Sequence, residues 1–155
     1  MEFIEITTFE QREYLRKIIH PIWINTYSKI ISMEQVEYLF EKYFDDNNII
    51  NRQKEGYKYL FGISNGEIVS FLSYQIRENY TYIDKVYVLE NHRRKGYASN
   101  MLSYMKEKSS KLELNVNVNN VSAVKTYLKN GFRIKEKQLI KLENDFINED
   151  YIMEY

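Results

Sequence analysis

Between Tyr82 and Met105 the residue pattern changes period once, and the change falls on a basic loop that contains a glycine. Tyr82-Ile83-Asp84-Lys85-Val86-Tyr87-Val88 is rich in β-branched and aromatic residues and predicts a strand. Asn91-His92-Arg93-Arg94-Lys95-Gly96-Tyr97-Ala98 follows, and then Met101, Leu102 and Met105 recur at helical spacing. Strand, basic glycine loop and helix thus succeed one another directly. The first amides of a helix lack internal partners and the summed peptide dipole favours an anion there, so this loop suits a phosphate group. Gly96 and Ala98 keep the backbone approachable, and Arg93, Arg94 and Lys95 add positive charge. Read alone, the same residues suit a solvated basic turn equally well.

The remaining elements follow from caps and periods. Phe3-Ile4-Glu5-Ile6 predicts a short first strand, and Thr7-x-x-Glu10 a capping box that opens a helix near Thr8. Leu15, Ile18, Ile19 and Ile22 form its apolar stripe, and Pro21 predicts a kink or a restart. Ser32-x-x-Gln35 caps a second helix, buried through Met33, Val36, Phe40, Tyr43 and Phe44 and ending near Asp46, with a short helical turn over 48–55. From Tyr57 the period becomes two: Tyr57, Tyr59, Phe61 and Ile63 alternate, Asn65-Gly66 supplies a hairpin turn, and Ile68, Phe71 and Tyr74 continue the return strand. A turn at Glu78-Asn79-Tyr80 leads into the Tyr82 strand. After the loop helix, Leu112 to Val118 alternates as a strand, Asn120 to Asn130 predicts a helix, and Phe132 to Leu142 with Tyr151 to Tyr155 complete the sheet. Periodicity by itself yields a mixed α/β sheet of the α+β kind.

Composition removes several chemistries. The 155 residues suit one domain over 1–155, large enough for a sizeable core. Lys plus Arg and Asp plus Glu both number 22, so no basic excess points to nucleic acid. The absence of cysteine removes disulfides, thiolate nucleophiles and cysteine metal sites. His20 and His92 lack ligand spacing, so no metal is expected. Glu2, Glu5 and Glu10 do not suit a secretory signal, and no apolar run approaches membrane-spanning length; a cytoplasmic location without membrane association is expected. With 15 tyrosines, any single one is by default a core residue.

A second motif lies downstream of the loop. Arg93-x-x-Gly96-x-Ala98, followed by Asn120-x-x-Ala123-x-x-x-Tyr127-x-x-x-Gly131-Phe132, resembles the GNAT superfamily of acetyl-CoA-dependent N-acetyltransferases. Within it the chain is similar to PaiA-like bacterial acetyltransferases, which are associated with polyamines. That narrower likeness rests on Trp23 with Thr26-Tyr27, Ser32-Met33-Glu34-Gln35, Asp84 to Val88 and Asp150 to Glu154. The resemblance implies a central, mostly antiparallel twisted sheet flanked by helices, with acetyl-CoA in a splay between the fourth and fifth strands. It implies transfer to a small-molecule primary amine, a polyamine among the acceptors, by direct attack, with CoA as product. A homodimer is compatible with it.

The resemblance also assigns roles. Backbone groups of Val86 and Val88 would pair with the pantetheine arm, and the amides of Arg94, Lys95, Gly96, Tyr97 and Ala98, beside Arg93, would hold the pyrophosphate. Asn120 caps a helix or contacts the cofactor arm, and both readings stand. Ala123 and Tyr127 lie on one helix face, and the Tyr127 phenol can donate to the departing CoA sulfur. Where many relatives carry a carboxylate this chain has Tyr82, so Asp84, expected by the period of two to share a face with Tyr82, Val86 and Val88, is either the substitute base or amine-attracting group, or a turn-proximal or edge carboxylate paired with Lys85 or Arg77. Trp23, Tyr27, Glu34 and Tyr82 are expected around the acceptor, although core packing suits Trp23 as well. The acidic stripe Glu34, Glu37, Glu41 and Asp45 is either a solvated helix face or a polycation-recruiting one. Two further readings fit the same residues: an acyl-CoA-binding regulatory module without turnover, and acetylation of a protein amine.

Overall fold

The computed structural model describes residues 1–29, 31–141 and 147–155. Seven strands among these residues form one sheet: β1 (Glu2–Glu5), β2 (Tyr57–Ser64), β3 (Glu67–Ile76), β4 (Thr81–Val88), β5 (Leu112–Asn117), β6 (Arg133–Lys141) and β7 (Ile147–Glu154), in the order β1-β2-β3-β4-β5-β7-β6. Every neighbouring pair is antiparallel except β4 and β5, which run parallel. The hairpin turn at Asn65-Gly66 forms as expected, with φ of 52° and 77°, the double left-handed turn that suits strand twist. The expected end of the sixth strand at Leu142 lies outside the described residues.

Helices cover both faces. On one side lie α1 (Phe9–Tyr27), α2 (Met33–Phe44) and α3 (Asp46–Lys54); on the other lie α4 (Tyr97–Lys108) and α5 (Val121–Lys129). Adjacent residues of β2 and β3 point into different cores. Tyr59, Phe61 and Phe71 pack with Leu15, Ile19, Trp23, Phe40 and Phe44, whereas Leu60, Leu72 and Tyr74 pack with Met101, Leu102, Met105 and Leu114. These central strands are therefore buried on both faces, and the tyrosine-rich alternation from Tyr57 marks only one of the two.

Three local expectations need correction. The α1 capping box uses Thr8 and Gln11, not Thr7 and Glu10: Thr8 Oγ1 accepts the Gln11 amide at 3.1 Å, and Gln11 Oε1 accepts the amides of Thr7 at 2.7 Å and Thr8 at 3.0 Å. Pro21 does not restart the helix; α1 runs through it. An interior proline costs ~3 kcal/mol, but burial of Ile19, Ile22 and Trp23 around it contributes roughly 1.5–3 kcal/mol each and outweighs that cost. Met33 is 49% exposed, because it occupies the first turn of α2 beyond the reach of the core, and Leu39 takes the buried place in the stripe.

Candidate active site

The defining feature is a divergence within the sheet. β4 and β5 pair only from Thr81–Leu112 to Ile83–Leu114. Beyond that point β4 stays with β3, and Asn115 to Asn117 of β5 stay with β7. The facing edges of the two parallel strands thus separate after Ile83, opening the splay that the resemblance implies.

A β-bulge stands at the head of this splay. Ser73 of β3 pairs with Lys85 and Tyr74 with Ile83, so Asp84 is the extra residue of β4. The bulge resets the alternation and corrects the expected face of Asp84. Val86 and Val88 pack in the α4–α5 core, while Asp84 and Lys85 turn towards α2 and α3. A period of two applied through a bulge assigns every residue beyond it to the wrong side.

On the donor side, a 3₁₀ turn over Glu90–His92 leads into the basic loop, where Arg94 has φ 63° and Gly96 φ 82°. A Cβ at Gly96 would meet no protein atom within 4 Å, so the glycine is required by its left-handed backbone and not by crowding from the chain itself. Thr8, Ser32 and Asn120 cap α1, α2 and α5 through side-chain oxygens, whereas Gly96 has none to offer α4. Asn100 is the first residue of α4 whose amide bonds back, to the Gly96 carbonyl at 3.0 Å, so the preceding helical amides of Tyr97, Ala98 and Ser99 have no helical partner. Tyr97 fixes the helix start by donating to Ser64 Oγ at 3.2 Å. Arg93, Arg94 and Lys95 are exposed, and Arg93 Nε donates to the Val88 carbonyl at 3.3 Å.

On α5, Asn120 Oδ1 accepts the Ala123 amide at 3.4 Å, so capping is its observed use. Ala123 and Tyr127 face the α4–α5 core as their spacing predicts. Tyr127 is buried, and burial pushes its phenol up to about 12. It is a proton-bearing donor at neutral pH.

On the opposite face a cavity of about 220 Å³ opens, lined by Trp23, Tyr27, Tyr43, Arg52, Asp84 and Lys85 among others. Asp84 Oδ2 accepts from Arg52 Nη2 at 2.9 Å and Lys85 Nζ at 3.3 Å. Trp23 lines the cavity, and its Nε1 donates to the Val36 carbonyl at 3.1 Å within the core. The Tyr27 hydroxyl hydrogen-bonds that of Tyr87, and burial raises its phenol to about 12. Tyr82 donates to Asn115 Oδ1 at 3.3 Å across the paired end of β4 and β5, with the Arg77 guanidinium 4.2 Å from its ring centroid. Burial raises the Asp150 carboxyl, with a hydrogen bond from the Asn115 side chain opposing it. Glu34 is exposed and does not line the cavity. Of the rest of the acidic stripe, Glu37 meets His20 at 3.0 Å and Glu41 meets Arg16 at 2.9 Å.

Sequence reasoning missed Arg52, Tyr43 and Tyr87 as part of this region, and anticipated Lys85 only as an ion-pair partner of Asp84, the pairing observed. Lys85 had a signal in its adjacency to Asp84. Arg52 had none, because α3 is distant from β4 in the chain. Among the described residues, no group of three or more His, Asp or Glu is placed to hold a metal ion, and no helix is long and apolar enough to cross a membrane.

A mixed sheet that splays between parallel strands, with an uncapped helix start behind a left-handed glycine, is the architecture of a GNAT-type acyltransferase. The sequence profile of the acetyltransferase (GNAT) family matches residues 16–132, and the chain belongs to that family of N-acetyltransferases. PaiA N-acetyltransferase from Thermoplasma acidophilum, solved in complex with coenzyme A, is 21% identical over 99% of this chain and 98% of its own, with a TM-score of 0.74. Ribosomal-protein-alanine N-acetyltransferase from Brucella melitensis is 16% identical over 100% and 99% of the respective chains, with a TM-score of 0.69. A Bacillus subtilis acetyltransferase in complex with CoA is 17% identical over 70% and 82%, with a TM-score of 0.57. These likenesses concern the fold. No curated protein sequence matches significantly.

Proposed function

We propose that the protein binds acetyl-CoA along the splay and transfers its acetyl group to the primary amine of a small molecule. The observation that carries this reading is the divergence of β4 from β5 after the Ile83–Leu114 pair, which leaves two strand edges available to an extended ligand. Bound there, acetyl-CoA supplies an acyl group activated as a thioester. The backbone of Val86 and Val88 would pair with its pantetheine arm. The amides of Tyr97 and Ala98 at the α4 start, with Arg93, Arg94 and Lys95, would meet its pyrophosphate. For the arm to reach the Val88 carbonyl, Arg93 must release it.

The acceptor enters from the cavity on the α1–α3 side, and its neutral amine attacks the thioester carbonyl; a C–N bond forms, the C–S bond breaks, and CoA departs as the thiolate. Tyr127 stands on the other side of the splay as donor to the departing sulfur. A phenol near 12 is weaker than a thiol at ~8.5, so full proton transfer to the thiolate is uphill by roughly 5 kcal/mol. A hydrogen bond that strengthens as charge develops is therefore the role proposed for Tyr127, and the proton lost by the amine nitrogen reaches the departing sulfur through solvent. Neutralising Asp84 would weaken its ion pairs with both Arg52 and Lys85, which favours orientation over proton abstraction. A polyamine acceptor has the PaiA resemblance behind it but no excess of acidic groups among the described residues that line the cavity.

The test is CoA thiol release from acetyl-CoA in a panel of amines, with product mass measured by chromatography. Acetylated amine and CoA in equal amounts are expected; acetyl-CoA binding without release for any amine would make the protein a sensor and overturn the catalytic reading.

A further inference from the structure

Resting on that reading, we infer that the acceptor is a small amine which also carries an anionic group, carboxylate or phosphate, held by Lys85 and Arg52 against an aromatic wall. Among the described residues, two cations and one anion line the cavity. Arg52 and Lys85 converge on the same oxygen, Asp84 Oδ2, at 2.9 and 3.3 Å. One carboxylate cannot neutralise both, so the described lining residues carry one positive charge in excess. Asp150 on β7 is outside the lining.

The cations are held in place and partly dehydrated, which strengthens their pull on an anion. The Lys85 side chain is 15% exposed, with Nζ 6.0 Å and 5.8 Å from the ring centroids of Tyr43 and Phe44. Its ammonium has three donors, and Asp84 takes one of them. Arg52 is fixed by Nε to the Tyr59 hydroxyl at 3.0 Å and by its guanidinium 4.0 Å from the Tyr57 ring centroid. Trp23, Tyr27, Leu39 and Tyr43 give the rest of the space an apolar and aromatic character.

A polycation meets the opposite of what it needs. It would face Arg52 and Lys85, while Glu37 and Glu41 of α2 are already engaged by His20 and Arg16. Size points the same way: 220 Å³ is below the roughly 300–1,000 Å³ of pockets for drug-sized ligands and suits a molecule of amino-acid size. Position completes the case. Asp84 and Lys85 are the first β4 residues beyond the last β4–β5 pair, so an acceptor anchored there lies beside the head of the splay.

The test is calorimetry on CoA-saturated protein with matched amines: leucine against isopentylamine, phenylalanine against phenethylamine, and phosphoethanolamine against ethanolamine, with spermidine as the cationic extreme. In at least one pair the anionic member should bind about tenfold or more tightly than its neutral counterpart. The amino-acid and phosphate arms tell the two anions apart. Lys85→Met, which keeps the apolar stem, should abolish the preference, and Lys85→Arg should restore it. Equal or tighter binding of every neutral member, tighter binding of spermidine than of every anion, or a preference that survives Lys85→Met overturns the inference. Anion-dependent binding with no CoA release from any amine leaves it standing and removes the catalytic reading; turnover without anion preference does the reverse.

Discussion

Arg52 of α3 reaches the bulged residue of β4, placing Nη2 2.9 Å from Oδ2 of Asp84. Burial opposes the charge of this guanidinium, yet Asp84 holds it well above its ordinary value. The pair joins the helical layer to the sheet at the residue where the splay begins. Its side chains are 24% and 12% exposed, so it is neither a surface pair of negligible worth nor a fully dehydrated one.

Arg52→Met should therefore cost about 1–3 kcal/mol in urea unfolding, because Asp84 keeps only Lys85. Combining it with Asp84→Asn should cost less than the sum of the single changes, since the stranded carboxylate is then removed. Additive costs would show that the pair is not coupled.

Tyr127→Phe retains the ring that packs 5.9 Å from Phe132 and removes only the hydroxyl. The fold and CoA affinity should be unchanged while kcat falls roughly 10²-fold. An unchanged kcat would remove Tyr127 from the chemistry.

Alkaline pH should unfold the protein in a defined window. Burial raises the phenols of Tyr27, Tyr59 and Tyr127 from 10.0 to about 12. Each is therefore protonated in the folded state at a pH where the unfolded chain has released its proton. The stability they contribute is complete below pH 10 and is lost as pH rises towards 12. Thermal scans from pH 9 upward should show a steep decline, shallower in Tyr127→Phe.

Gly96→Ala separates backbone strain from ligand approach. At φ 82° an alanine should cost about 1–2 kcal/mol, with no clash against the protein's own atoms. If the loop holds a pyrophosphate, CoA affinity should fall by more than that strain accounts for, measured by calorimetry on the folded variant. A loss confined to stability would argue against close approach at this residue.

The strand, glycine loop and helix start were legible because they are local. Strand, loop and helix follow one another from Tyr82 to Met105, and caps, β-branched residues and a left-handed glycine each act over a few residues. The Ser32–Gln35 capping box and the Asn65-Gly66 hairpin succeeded for the same reason. The helix does not restart at Pro21 because local propensity is worth less than the three side chains buried beside it.

The cavity on the α1–α3 side was not legible. Its walls come from α1, α2, α3 and β4, and no pattern within any one of them signals the others. The face of Asp84 turned on a bulge, one unpaired residue whose existence depends on how β3 and β4 register. The amino-acid order by itself determined which segments are strands and helices and where an anion could meet a helix start, since those depend on neighbours along the chain. Only the tertiary structure decided which charges share a cavity, because ion pairs such as Arg52–Asp84 form between residues that chain proximity does not relate.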